Sequence, residues 1–527
     1  MKTRLTRTCA VLALVLVLGP LCFSSAYDAR PRLVVVVVVD QLRGDLLERF
    51  HDKFGSNGFR LLMDRGAYFA NCDFDYADTR TAPGHATLLT GAYPNGHGIM
   101  SNLWWDPQLA KMITPIQDAA TKLVGREGRG VSPKNLLAST LGDELKLATD
   151  GRARVFTISL KEYAAVLAAG HAADGAYWIA DSDGAWVTSS YYRSNLPKWV
   201  SDFNASGRAD KYWNQEWKDA AGKVLGRTDR KAGDFYHVVG ASPFSADYEL
   251  EFARELMVNE KLGSGPNTDL LVISLSGFDL QGHATGPDSP EIAAEAMALD
   301  RQLGDFFSFV GQRLGLANVW IALSADHGVA PMPEHTKELR AADTVRYDGR
   351  KMLEEINRQL SAKLTPGRST QFVVGFDPPT FFLNREAFPN RDDEQAAEAM
   401  VGQLAEKLGM RGYFTRAQLA RGEVPATEIG RIHLHSFSPI PSWFVMTMPP
   451  VFAVADAGRS TDHGSPYSYD RHVPLALFGF PFVPGTYRTH SEPVDLAPTL
   501  ASLLGINAPT HSVGRVLTEA LQREGGR

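Results

Sequence analysis

The sequence predicts an α/β fold: a doubly wound, mostly parallel sheet with helices on both faces, carrying inserted cap segments. Three observations point to the sheet. Leu33–Val39 is an unbroken aliphatic run that stops at Asp40, and a Val-rich run without polar alternation is the pattern of a strand covered on both faces. Leu270-Leu271-Val272-Ile273 repeats the design and continues to Phe278 and Asp279. Val319-Trp320-Ile321-Ala322-Leu323 repeats it again and ends at Ser324-Ala325-Asp326-His327. A fourth run, residues 473–478, follows His463 and Asp470. Between these runs, residues 290–309, 353–364 and 394–408 place apolar side chains three and four apart, the period of a helix with one buried face. Strands alternating with such helices stack into a covered parallel sheet. Ligands of such sheets bind beyond the carboxyl ends of the strands.

The 527 residues are 44% hydrophobic and 22% charged, enough apolar material for a large core. A net charge of -6, without a Lys/Arg run, gives no nucleic-acid surface. Lys2, Arg4 and Arg7, the apolar stretch 10–18 and Ser24-Ser25-Ala26 read as an export signal over residues 1–26. Its apolar stretch is shorter than the ~20 residues of a spanning helix. The expectation is therefore a periplasmic or secreted chain with no membrane span once the signal is removed. Cys9 and Cys22 fall in the signal, so the mature chain keeps Cys72 alone and forms no internal disulfide. Residues 27–520 read as one α/β domain with caps inserted at about 177–250 and 331–447. The first is rich in Trp, Tyr, Ser, Asp and Gly, a composition that suggests irregular structure. Oligomeric state is not legible, and a single chain is favoured.

The chemistry lies at the strand ends. Asp279 and His283 stand four residues apart, Asp326 and His327 side by side, and His463 in Asp462-His463-Gly464-Ser465. Carboxylate oxygen with imidazole nitrogen is a donor set for a catalytic divalent metal. Two such groups can hold two ions, which serve both ends of a phosphoryl transfer. Any one of these residues alone is more simply a turn former; three strand ends carrying them together favour a metal site. Thr79-Arg80-Thr81-Ala82-Pro83-Gly84-His85-Ala86-Thr87 adds a hydroxyl. Pro83 suits a first helical turn and puts Thr81 near the N-cap, where free N–H groups attract an anion. The plain alternative is that Thr81 only caps the helix. Thr79 and Thr87 compete with it as nucleophile on spacing.

These blocks, with Tyr93-Pro94-Asn95-Gly96-His97-Gly98-Ile99-Met100-Ser101-Asn102, His463-Gly464-Ser465 and Pro493-Val494-Asp495-Leu496-Ala497-Pro498-Thr499-Leu500, resemble the alkaline phosphatase superfamily. The similar branch contains the type I phosphodiesterase/nucleotide pyrophosphatases and the PafA-type bacterial alkaline phosphatases. The resemblance implies a phosphoric ester hydrolase with two Zn²⁺. One would be held by Asp279, His283 and His463, the other by Asp40, Asp326 and His327 with the Thr81 oxygen. Thr81 would attack phosphorus to give a phosphothreonine that water hydrolyses, and Asn102 would bind a phosphoryl oxygen.

Ser159-Leu160-Lys161-Glu162-Tyr163 resembles the monoesterase pattern Ser-x-Lys-x-Arg, with Tyr163 where the arginine belongs. Lys161 and Tyr163 are thus expected at the substrate. A Lys-Arg pair favours the doubly charged monoester through charge-assisted hydrogen bonds, whereas a tyrosine offers at most one neutral donor. Monoester hydrolysis is the favoured expectation and diester hydrolysis its rival. A non-catalytic phosphate binder is less favoured, since every metal-type ligand is present. A sulfatase is disfavoured because Thr81 cannot become formylglycine.

Overall fold

The computed structural model describes residues 30–340, 346–389, 393–441, 443–455 and 458–522; the expected export signal lies outside the described residues. Among these, ten strands form one sheet. In chain order they are β1 (Leu33–Val39), β2 (Ala67–Phe69), β3 (Leu123–Val124), β4 (Val155–Ser159), β5 (Gly175–Ile179), β6 (Trp186–Ser189), β7 (Asp269–Leu275), β8 (Val319–Ser324), β9 (Leu475–Phe478) and β10 (Gly485–Tyr487). Across the sheet they lie β10-β2-β9-β8-β1-β7-β4-β5-β6-β3. The central five, β8, β1, β7, β4 and β5, are parallel, and β9 and β6 run against them.

Every residue of β1 is fully buried, as its unbroken aliphatic pattern requires when helices cover both faces. Val38 pairs with Ser274 of β7 and with Ser324 of β8, so three central strands end nearly level. The residues that follow them reach one rim. β9 is antiparallel, with Leu475 opposite Ser324; its entry loop, carrying His463, therefore arrives at the rim where the parallel strands leave.

The helix expected over 290–309 is Pro290–Leu314. It starts at Ser289, whose side chain accepts the Ile292 N–H, and ends at Gly315 with φ 78°. Those expected over 353–364 and 394–408 are Gly349–Leu364 and Glu394–Lys407, each begun by an aspartate cap. Cys72 is free and buried. Among the described residues no helix is long and apolar enough to cross a membrane.

The boundary of the first insertion differs from the expected residue 177. Residues 175–189 supply β5 and β6 to the main sheet. Tyr177 and Trp186 are fully buried, and Trp186 stacks on Phe252 at 3.9 Å. Aromatic residues suit a pleated, covered surface, so a composition that reads as loop is here core. Irregular structure begins after β6, with short helices and a ribbon of Glu216–Lys218 and Val224–Arg227. Within the second insertion, Val373–Asp377, Thr380–Leu383, Phe444–Met448 and Gly412–Thr415 form a separate antiparallel sheet in that order. Ile356, Phe372, Val401 and Val445 belong to its own core.

Candidate active site

Asp40 directly follows β1, and Asp326 and His327 follow β8; all three are fully buried. Asp40 Oδ2 accepts from Lys161 Nζ at 2.7 Å, and Oδ1 lies 3.4 Å from His327 Nε2. Asp326 Oδ1 accepts the Gln41 backbone N–H at 3.1 Å. The donor atoms of Asp40, Asp326 and His327 fall within 4.8 Å of one another. Thr81 stands beside them, its Oγ1 3.3 Å from His327 Nε2 and 3.5 Å from Lys161 Nζ.

The local fold explains that placement. Extended Arg80 occupies the N-cap, and Thr81 opens the helix Thr81–Thr90 without a side-chain cap bond. Its hydroxyl is thus not used as the capping alternative supposed. A Cβ on Gly84 would collide with the Asp326 carbonyl, so only glycine lets this helix press its first turn onto the strand end. Of the rival threonines, Thr79 donates to the Ser465 carbonyl at 3.3 Å and Thr87 pairs with His97 at 3.0 Å.

A second group adjoins the first. Asp279 and His283 lie one turn apart on the helix Gly277–Thr285, so both project from the same face. Asp279 Oδ1 is 3.1 Å from His283 Nε2 and 3.8 Å from His463 Nε2, and Oδ2 accepts from Lys161 Nζ at 2.6 Å. Asp279, His327 and His463 form one compact set of donors, and His283, Asp462 and His463 another. The His327 and His463 rings stack at 3.6 Å, joining the two groups.

In all three histidines Nδ1 faces a carbonyl: Thr461 O at 2.9 Å for His283, Gly328 O at 2.8 Å for His327 and Thr79 O at 2.8 Å for His463. A carbonyl only accepts, so Nδ1 carries the proton and Nε2 turns its lone pair into the pocket. Burial lowers the basicity of His327 and His463, which keeps these rings neutral.

Asp40 and Asp279 share the ammonium of Lys161, and Asp326 stands near them. Burial, then the charges of Asp279 and Asp326, push Asp40 well above the usual carboxylate range. Burial also raises Asp279, but His283 and Lys161 outweigh it and hold that carboxyl well below. Burial opposes the charge on Lys161; Asp279 and Asp40 overcome it. Among the described residues, Asp40 Oδ1 and Asp326 Oδ2 are buried without a hydrogen-bond donor, which is uncommon for such atoms. Crowded carboxylates with bare oxygens, beside imidazoles presenting lone pairs, fit a divalent metal.

Thr81, Asn102, Lys161, Tyr163, Asp279, His283 and His463 line one cavity of about 660 Å³. Asn102 Oδ1 accepts the Ala82 N–H at 2.8 Å, leaving its amide NH₂ as donor. Burial raises the Tyr163 phenol to about 12, so it stays protonated. Asp377, from the inserted sheet, accepts from Ser101 Oγ at 2.6 Å and Leu103 N at 3.1 Å, on either side of Asn102. Its other oxygen lies 3.6 Å from Arg80 Nη1.

The sequence reading missed several contributors. Gln41, at φ 68°, donates from Nε2 to Asp279 at 2.6 Å and so spans both groups. A Cβ on Gly282 would collide with its amide oxygen. His85 holds the Thr81 carbonyl at 2.8 Å and Ser274 Oγ at 2.7 Å. Asp462 repeats the Asp-His pairing of Asp326-His327, a signal that was there to be used.

Four chain segments thus bring carboxylates and imidazoles around one hydroxyl at a sheet rim, and proteins similar to this one over nearly their whole length are phosphoric ester hydrolases, as this chain is. It belongs to the type I phosphodiesterase / nucleotide pyrophosphatase family, whose model matches residues 34–436. It is similar to alkaline phosphatase PhoV of Synechococcus elongatus, 32% identical over 94% of each chain. Alkaline phosphatase PafA of Elizabethkingia meningoseptica is 29% identical over 94% of this chain and 95% of that one. The crystal structure of wild-type PafA matches with a TM-score of 0.86 at 28% identity, covering 94% of this chain and 99% of that one.

Proposed function

We propose that the protein is an exported phosphomonoesterase that works through Thr81 and two zinc ions. The observation that carries the reading is the Thr81 hydroxyl 3.3 Å from His327 Nε2, at the edge of the Asp40–Asp326–His327 group. Asp40, Asp326 and His327 would hold one ion beside that hydroxyl, and Asp279, His283 and His463 the other. Zinc bound there would acidify the threonine hydroxyl and neutralise charge on the phosphoryl group. Thr81 Oγ1 gives its proton to solvent and attacks phosphorus; the new O–P bond forms as the ester O–P bond breaks, and the alcohol leaves with a proton from solvent. Water then attacks the phosphothreonine, releasing phosphate and restoring Thr81. Asn102 Nδ2 and the ammonium of Lys161 bind phosphoryl oxygens, and fixed donors of this kind provide much of the catalysis of phosphoryl transfer. The export reading rests on the sequence of residues 1–26.

A diesterase reading is supported by Tyr163, a neutral side chain where the monoesterase pattern has a cation. The test compares p-nitrophenyl phosphate with bis-p-nitrophenyl phosphate on zinc-loaded protein, in the wild type and in Thr81→Ala. The expected result is faster monoester turnover, with a fall of roughly 10⁴-fold or more in the variant, as for other nucleophile deletions. Undiminished turnover by Thr81→Ala would refute the nucleophile, and a faster diester would reverse the substrate assignment.

A further inference from the structure

We propose that Arg459 is a specificity residue of this site, giving the phosphoryl group a second cationic contact besides Lys161 and so favouring monoesters. The inference rests on the monoesterase reading above.

Arg459 lies in the entry loop of β9, four residues before His463. It lines the same cavity as Thr81, Lys161 and Tyr163. Nη1 is 3.2 Å from His283 Nε2 and 3.6 Å from Asp462 Oδ1, and its side chain is 48% exposed. The core does not lock this guanidinium; it reaches the cavity from the rim.

Its contact with His283 is conditional. Nδ1 of that ring faces the Thr461 carbonyl, so Nε2 has one lone pair to give. A cation held by Asp279, His283 and His463 would take that lone pair, and an N–H of Arg459 cannot share it. Arg459 is then released from His283, while Asp462 keeps it at the cavity. A guanidinium stays charged at any working pH and can give two parallel N–H bonds to phosphoryl oxygens.

The remaining wall explains why such a contact matters. The ammonium of Lys161 is shared by Asp40 and Asp279, and Tyr163 offers one uncharged donor. A monoester dianion brings a second charged oxygen whose charge the other donors of this wall do not match: Asn102 gives a neutral amide, and the Arg80 guanidinium is paired with Asp78 and Asp377. A diester has no such oxygen, so it gains less from Arg459.

The test measures kcat/KM for p-nitrophenyl phosphate and bis-p-nitrophenyl phosphate in wild type, Arg459→Ala, and Arg459→Ala with Tyr163→Arg. It also measures the affinity of the zinc-loaded proteins for inorganic phosphate by calorimetry, with zinc content and thermal midpoint. In Arg459→Ala the monoester-to-diester ratio should fall roughly 10- to 100-fold, the value of a charged hydrogen bond. Phosphate affinity should weaken, with zinc content retained. Tyr163→Arg in the same chain should recover much of the ratio, because it returns a guanidinium to the cavity. An unchanged ratio, or an equal loss for both esters together with lost zinc, overturns the proposal. If the wild type hydrolyses neither ester, the monoesterase reading fails. The phosphate affinities then decide on Arg459 alone, and equal values in wild type and Arg459→Ala refute it.

Discussion

The two carboxylate–imidazole groups share a donor chemistry and differ in how the chain holds them. Asp40 is the first residue past β1, Asp326 and His327 are the second and third past β8, and all three have 0% exposure. Asp279 and His283 sit on a helix turn, and Asp462 and His463 on a loop; His283 and His463 keep 7% and 8% exposure. Sheet register fixes the first group, because β1 and β8 end within one residue of each other. The second depends on a helix and a loop meeting across the pocket. The deep group is therefore set by the sheet and closed to solvent, and the rim group is set by a helix and a loop and borders it.

Removing a ligand from each side tests that contrast. Asp326→Asn should show the largest effect. It should lose one zinc per chain and turnover by about 10³-fold or more, beyond the 10²–10³ of a single stabilising contact, and added zinc should not restore it. Elemental analysis with a zinc titration of activity checks this; full zinc content would break the comparison. His283→Ala should be milder. A loss of metal affinity of roughly 10- to 100-fold, the scale of a weakened metal shell, should be overcome by excess zinc. Recovery of Asp326→Asn but not of His283→Ala would invert the assignment of deep and rim.

The smallest effect is expected from Tyr163→Phe. With its phenol raised to about 12 by burial, Tyr163 keeps its proton through the neutral and mildly alkaline range. The activity–pH profile between pH 7 and 10 should keep its shape, and kcat/KM should fall by less than about 10-fold, the scale of one neutral hydrogen bond. An alkaline limb that disappears in the variant would mean that the phenol ionises in the working range.

Much of this molecule was legible because a few strong patterns dominate it. The aliphatic run Leu33–Val39 has one good explanation, a covered strand, and Asp40 at its end follows from that. Asp279 and His283 at helical spacing, and Asp326-His327 at a strand end, carry their chemistry in sequence. Tyr177 and Trp186 misled because aromatic residues serve both covered strands and irregular caps, and only packing separates the two. Gln41 was silent because its role depends on a backbone at φ 68° that turns one residue toward two carboxylates. Arg459 was silent for another reason: an arginine in a polar loop looks the same whether it meets water or a pocket.

Asp377 gives the inserted unit a purpose beyond its own stability. One carboxylate steadies the strand of chain around Asn102 and reaches the arginine next to Thr81, while the metal-type ligands stand on separate supports. The insertion is a clasp with several hooks: Ser436 accepts the Ala77 N–H, Arg431 pairs with Asp75, and Arg346 donates to the Arg459 and Ser460 carbonyls, while Asp377 is the hook beside Asn102. A change at that last hook would loosen the amide and the nucleophile together.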